Sequence, residues 1–140
     1  INLKVDIRIP EAYLPQVNLR LNLYKRVSSA DSLKELKQIE EETADRFGPL
    51  PASVRQLFRY GAIKYLAGRL KIESIDRVGH KILMKFFPDT KADPGRFVEI
   101  LNDYSGSITP DGIMTFSSHE GDSARLMDET ITILKELLIY

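Results

Sequence analysis

The sequence holds no cysteine, which excludes a disulfide framework, a thiol nucleophile and a thiolate metal site, and fits a reducing, cytoplasmic setting. It has no apolar run near the roughly 20 residues that cross a bilayer. The start, Ile1 to Pro10, alternates charged and apolar residues, unlike a secretory signal. No membrane partner is expected. Net charge is also lacking, with 20 Lys and Arg against 20 Asp and Glu. There is no GxxxxGKS/T loop and no GxGxxG after a strand, so no Gly-rich cradle for a nucleotide phosphate is present. Any ATPase activity belongs outside this chain.

The usual constellations of catalytic side chains are missing too. His80 and His119 stand far apart, and neither has ligand spacing to another His or to a helical Glu, so solvated loop histidines are the expectation rather than a metal site. Ser117, Ser118 and His119 invite a nucleophile reading, but no GxSxG elbow surrounds them. Glu40, Glu41 and Glu42 are adjacent on a helix, where neighbours point 100° apart and do not converge on one substrate atom. They read as a solvated face.

What is present is 140 residues, 43% of them hydrophobic, enough for one domain with a core of its own spanning 1–140. Because the chain begins at Ile1, already inside an alternating pattern, it reads as a piece excised from a longer protein.

Asn2 to Ile9 puts Leu3, Val5, Ile7 and Ile9 on one side, the period-2 pattern of a half-buried strand ended by Pro10. Pro15 opens a helix from Gln16 to about Val27, with Val17, Leu21 and Tyr24 at helical spacing. The next helix, Ser32 to Phe47, is the best marked: Ser32 and Glu35 form a capping box, and Gly48-Pro49 is the stop. On its wheel Leu33, Leu36, Ile39, Thr43, Ala44 and Phe47 share one side and Glu35, Gln38, Glu42, Asp45 and Arg46 the other, with Glu40 anomalous near the apolar side. Pro51 begins a third helix to about Leu70 that buries Val54, Leu57, Phe58, Ala62 and Leu66, and Gly61 weakens it locally.

Ile72 to Val78 and Lys81 to Phe86 flank Gly79-His80 as a hairpin. Asp93-Pro94 caps a helix to about Asn102, Pro110-Asp111-Gly112 joins a second hairpin, and a last helix runs from about Asp122 to Leu138. The fold class that follows is α+β: a single compact domain of about five helices with short antiparallel β-hairpins.

Charge is unevenly placed. Residues 1–30, 31–50, 51–85 and 86–140 carry balances of +3, −3, +6 and −6. The basic stretch from Arg55 to Lys85 is the one serious nucleic-acid signal, and gives the alternative reading of an accessory DNA-contacting domain.

Asp45-Arg46-Phe47-Gly48-Pro49-Leu50-Pro51 places a Gly and two Pro at a helix stop, and Tyr13-Leu14-Pro15 precedes Arg20-Leu21 and Tyr24-Lys25-Arg26. In these strings, over residues 9–51, the chain resembles the C-terminal domain of bacterial transcription-repair coupling factors, and the order of elements to Phe86 follows the same pattern. Gln16 departs from it, since relatives often carry Asp there, which puts the cap of that helix in doubt.

The resemblance implies a full-length superfamily 2 DNA translocase that uses ATP and magnesium, pushes stalled RNA polymerase off DNA and recruits UvrA in nucleotide excision repair. It implies for this domain no cofactor and no catalysis. The domain's expected role is that of a clamp on the N-terminal UvrB-like module, hiding its UvrA-binding surface until polymerase is engaged. The clamp positions carried over are Glu42, Asp45 and Arg46, which the wheel places outward, as docking requires. Glu42 and Arg46 stand four apart, so an ordinary exposed pair of about 0.2–0.5 kcal/mol is the alternative. Arg20, Tyr24 and Phe47 read equally as scaffold, Arg20 through an internal carboxylate pair.

Overall fold

The computed structural model describes residues 1–117 and 122–138. Ser118 and His119, weighed above, lie outside the described residues. In chain order the elements are α1 (Val17–Ser28), α2 (Leu33–Phe47), α3 (Ala52–Leu70), β1 (Ile72–Val78), β2 (Lys81–Phe86), α4 (Pro94–Asp103), β3 (Ser107–Ile108), β4 (Ile113–Ser117) and α5 (Ser123–Leu137). The class is therefore α+β, as expected. Contacts divide the chain into two compact units, Val5–Tyr65 and Ile1–Lys4 with Leu66–Tyr140.

In the first unit α1, α2 and the start of α3 enclose a core of Ile9, Leu14, Leu23, Val27, Leu36, Ile39, Val54, Leu57 and Phe58. The start of α2 is fixed by Ser32, whose hydroxyl accepts the Glu35 N–H at 3.0 Å, while the Glu35 carboxylate accepts the Asp31 N–H at 2.7 Å. The capping box is thus present, reaching one residue further back than its standard form. Gly48 ends the helix at φ 96° and ψ −178°, a region open to glycine alone, with its N–H on the Ala44 carbonyl at 2.9 Å.

Gly61 has a larger part than local weakening. A Cβ there would lie 2.7 Å from Val27 Cγ1 and 3.1 Å from Leu36 Cδ2. Its missing side chain is what lets α1 and α2 pack close against α3.

Two expectations are corrected here. Burial alternates from Leu3 to Ile9 as the pattern requires, yet no strand forms. Lys4 turns to φ 55°, and Asp6 takes the Arg8 N–H at 3.0 Å and its guanidinium at 3.1 Å, so local side-chain bonds replace a ladder. The segment's one bridge is Asn2 with Asp76. In α1, Val17 and Leu21 are 59% and 64% exposed, and the buried residues are Leu23 and Val27. The helix carries apolar residues on more than one side, so spacing alone did not select the face that packs.

The second unit is a four-stranded antiparallel sheet in the order β1-β2-β4-β3. Met84 stands opposite Ile75 and Met114, and Ile82 opposite Arg77 and Phe116. Ile82, Met84 and Phe116 meet Leu126, Thr130 and Ile133 of α5 around one small cavity. Tyr104 and Phe86 add edge-on ring contacts with Phe116 and Phe97 at 6.3 and 4.9 Å. Asp93 and Asp122 cap α4 and α5, each accepting a backbone N–H at 3.0 Å.

Candidate functional site

The last two turns of α2 bring Glu42, Asp45 and Arg46 to the surface because the opposite side of the helix buries Leu36, Ile39 and Thr43. Thr43 sits in the core without an unsatisfied hydroxyl, donating to the Ile39 carbonyl at 2.7 Å. The three residues singled out by sequence therefore occupy one patch, as the wheel required.

Their pairing differs from the sequence expectation. Glu42 does not pair with Arg46; its Oε2 accepts from Arg26 Nη2 of α1 at 2.8 Å. Hydrogen bonding to Arg26, then its charge, holds the Glu42 carboxyl below the ordinary glutamate range, and the same bond pushes the Arg26 guanidinium up. With side chains 45% and 39% exposed, the pair is screened by solvent and adds little to stability, as exposed pairs do. Sequence reasoning had no means of joining Arg26 to Glu42, since they meet only through the packing of two helices.

Arg46 makes a different contact. Its Cζ lies 4.8 Å from the centroid of the Phe47 ring, a cation–π distance. Phe47 is held edge-on by Tyr13 at 6.5 Å and 71°, and the Tyr13 hydroxyl donates to the Gly48 carbonyl at 2.8 Å. Burial pushes the Tyr13 hydroxyl pKa up, so it remains a donor.

Between α1 and α2 lies a groove of about 30 Å³, floored by Leu14, Leu23 and Phe47 and edged by Arg26, Glu42 and Arg46. That space suits a water or two, not a substrate of small-molecule size. An open depression of about 480 Å³ over α5, touching Tyr104, Asp122 and Thr132, is broad and shallow rather than convergent. Among the described residues no group of three or more His, Asp or Glu is arranged to hold a metal, and no helix is long and apolar enough to cross a membrane.

The remaining signature residues are engaged in scaffold. Arg20 Nη1 donates to the carbonyls of Leu14 and Pro15 at 2.7 and 2.9 Å, so its partner is backbone and not the carboxylate expected. The Tyr24 hydroxyl accepts the Ile9 N–H at 2.6 Å, and Arg55 Nη1 donates to the Leu50 carbonyl at 2.6 Å. These bonds tie the segment before α1 and the turn after α2 to the helices beside them. Within the basic stretch, Lys64 bonds Ser28 at 2.6 Å, Lys71 pairs with Asp89 at 2.7 Å and Lys85 with Glu73 at 3.2 Å. Several of its cations thus already have local partners.

The sequence matches the family described as the TRCF domain over residues 3–97. It is 32% identical over 101 residues to the transcription-repair-coupling factor of Haemophilus influenzae, covering 72% of this chain and 9% of that protein. To the protein of the same name from Rickettsia conorii it is 27% identical over 142 residues, covering 100% of this chain and 12% of that one. The chain therefore spans about a tenth of the length of these relatives. The fold is similar to a crystal structure of the C-terminal domain of transcription-repair coupling factor, with a TM-score of 0.87 and 18% identity over 97% of this chain and 89% of the other.

Proposed function

This chain belongs to the TRCF domain family, the C-terminal domain of transcription-repair coupling factors, and from that premise we propose that it is a non-catalytic clamp within a longer DNA translocase. In this reading Glu42, Asp45 and Arg46 dock on an N-terminal UvrB-like module of the same protein and mask that module's UvrA-binding surface. Engagement with RNA polymerase releases it. Contact with DNA, ATP and magnesium then belongs to other parts of the full-length chain.

The observation that carries the proposal is the exposed, charged end of α2 held on a rigid base. Glu42, Asp45 and Arg46 sit side by side, Arg26 fixes the first and Phe47 the last, and complementary charge of this kind sets partner choice and register. The small volume of the adjoining groove favours a protein partner over a small-molecule ligand. An accessory DNA-contacting role for residues 55–85 is less favoured, because Lys64, Lys71 and Lys85 are engaged locally.

Replacing Glu42, Asp45 and Arg46 together with Ala tests the proposal. No apolar volume leaves the core, so the fold keeps nearly its full stability. In the full-length protein without polymerase, UvrA binding should rise by a factor of about 5–150, the usual span of a coupling energy. Equal UvrA affinities of two folded proteins, wild type and triple variant, would refute it.

A further inference from the structure

We propose that the outer face of the four-stranded sheet is a docking surface for an amphipathic α-helix of another polypeptide, one that carries a carboxylate on one flank of its apolar stripe and a basic group on the other. This face belongs to the second unit and is independent of the clamp reading above.

Each strand buries alternate residues. Ile82, Met84 and Phe116, with Ile75 and Met114 beside them, point to the side that α4 and α5 cover, so their neighbours in sequence point away from it. In a half-buried antiparallel sheet such outward positions are ordinarily polar. Three here are not: Val78 of β1, 58% exposed, and Leu83 of β2 and Ile113 of β4, both half-buried. The register puts Val78 beside Lys81, Leu83 between Asp76 and Thr115, and Ile113 beside Lys85. The three apolar side chains therefore step one strand across and two residues along at a time, which makes a diagonal stripe over β1, β2 and β4.

Two strand spacings make about 10 Å and four residues about 14 Å, so the stripe is about 17 Å long. That is the length of about eleven helical residues, whose apolar side chains at i, i+4, i+7 and i+11 cover it. The flanks fix the occupant's charge. Lys81 and Thr115 stand on one side of the stripe, Asp76 and Ser74 on the other. Among the described residues Lys81 and Asp76 form no ion pair, whereas Lys85 is held by Glu73 at 3.2 Å. One unmatched cation and one unmatched anion on opposite flanks are complemented by a helix with a carboxylate on one side and a base on the other. No aromatic ring stands at an outward position of β1, β2 or β4 for a nucleic-acid base to stack on, and Asp76 repels a phosphate backbone.

Two synthetic helical peptides, labelled and titrated by fluorescence anisotropy against the 140-residue protein, test this. Both carry Leu at i, i+4, i+7 and i+11; one has Glu on one flank and Lys on the other, and the second has Lys on both. The mixed peptide should bind, and the all-Lys peptide about fivefold more weakly. Leu83→Ser takes nothing from the inner core, so Tm should hold while the mixed peptide binds about tenfold more weakly. Val78→Ser, at the exposed end of the stripe, makes the same test should Leu83→Ser fail to fold. Lys81→Glu should reverse the order of the two peptides, which a merely adhesive apolar patch does not do. On binding, amide NMR shifts should fall at Lys81, Leu83 and Thr115.

Failure of the mixed peptide to bind, equal binding of both peptides, an order unchanged by Lys81→Glu, or shifts that fall on another surface would each overturn the proposal. If instead a duplex DNA oligonucleotide binds, neither peptide does, and Lys81→Glu abolishes the DNA complex, the face reads phosphate and the helix is the wrong occupant.

Discussion

Helix α3 contains two glycines, Gly61 and Gly68, and the structure predicts opposite outcomes when each becomes Ala. Neither has a positive φ, so in both cases Ala brings the same gain in helix propensity, about 1 kcal/mol. At Gly68 a Cβ meets nothing within 4 Å, and Gly68→Ala should stabilise by about that amount. At Gly61 the new methyl meets Val27 Cγ1 at 2.7 Å and Leu36 Cδ2 at 3.1 Å, with the Val27 carbonyl at 3.5 Å. Val27 and Leu36 are 3% and 4% exposed, so they have little room to yield. Overpacking of this kind costs about 1–3 kcal/mol, which offsets the propensity gain and leaves a net loss of about 0–2 kcal/mol. Urea unfolding followed by far-UV circular dichroism separates the two variants, with the Gly68→Ala midpoint moving up and the Gly61→Ala midpoint staying level or falling. Gly61→Leu should lose more still. Equal stabilisation by both Ala substitutions would mean that α1 and α2 do not approach Gly61 as closely as described, and the packing argument would fail.

Three other outcomes can be checked on the same protein. Gly48→Ala should cost about 1–3 kcal/mol through backbone conformation alone, since its Cβ would touch nothing within 4 Å; a Tm equal to wild type would contradict the positive φ. Tyr24→Phe leaves the Ile9 N–H without its acceptor, at a cost of about 1–3 kcal/mol, and hydrogen exchange at Ile9 should quicken. Glu42, whose carboxyl is lowered by Arg26, stabilises the fold above the ordinary glutamate range, and that contribution is lost as pH falls through its lowered pKa. An NMR titration should find Glu42 moving up in Arg26→Ala while remaining slightly low beside Arg46; no movement would break the assigned pair.

Helix ends and hairpins were readable in the sequence because their signals are local. Ser32, Gly48, Asp93 and the Gly79-His80 turn lie within a few residues of the groups they satisfy, and the structure puts α2, α4, β1 and β2 within a residue or so of the expected bounds. The outward placement of Glu42, Asp45 and Arg46 was readable for the same reason, since one helix wheel decides it. What escaped depends on contacts between distant residues. Period-2 alternation in Asn2–Ile9 reports a buried side but not whether a neighbouring strand exists, and here Lys4 and Asp6 turn the chain instead. Arg20 finding carbonyls, Arg26 finding Glu42 and Gly61 receiving two helices all required the packed unit.

Tyr13, Arg20, Tyr24, Phe47 and Gly48, the residues that make this family easy to spot, are occupied in bracing the chain around α1 and α2. The charged positions 42, 45 and 46 stand outside that bracing. If those three positions dock as proposed, a descendant could keep every bracing residue, be recognised at once and fold alike, yet have exchanged its charges there and parted from its ancestral partner. On the clamp reading, kinship and partner choice are written in different letters of the same thirty-six residues, Tyr13 to Gly48, and only the second set is free to drift without loss of the fold.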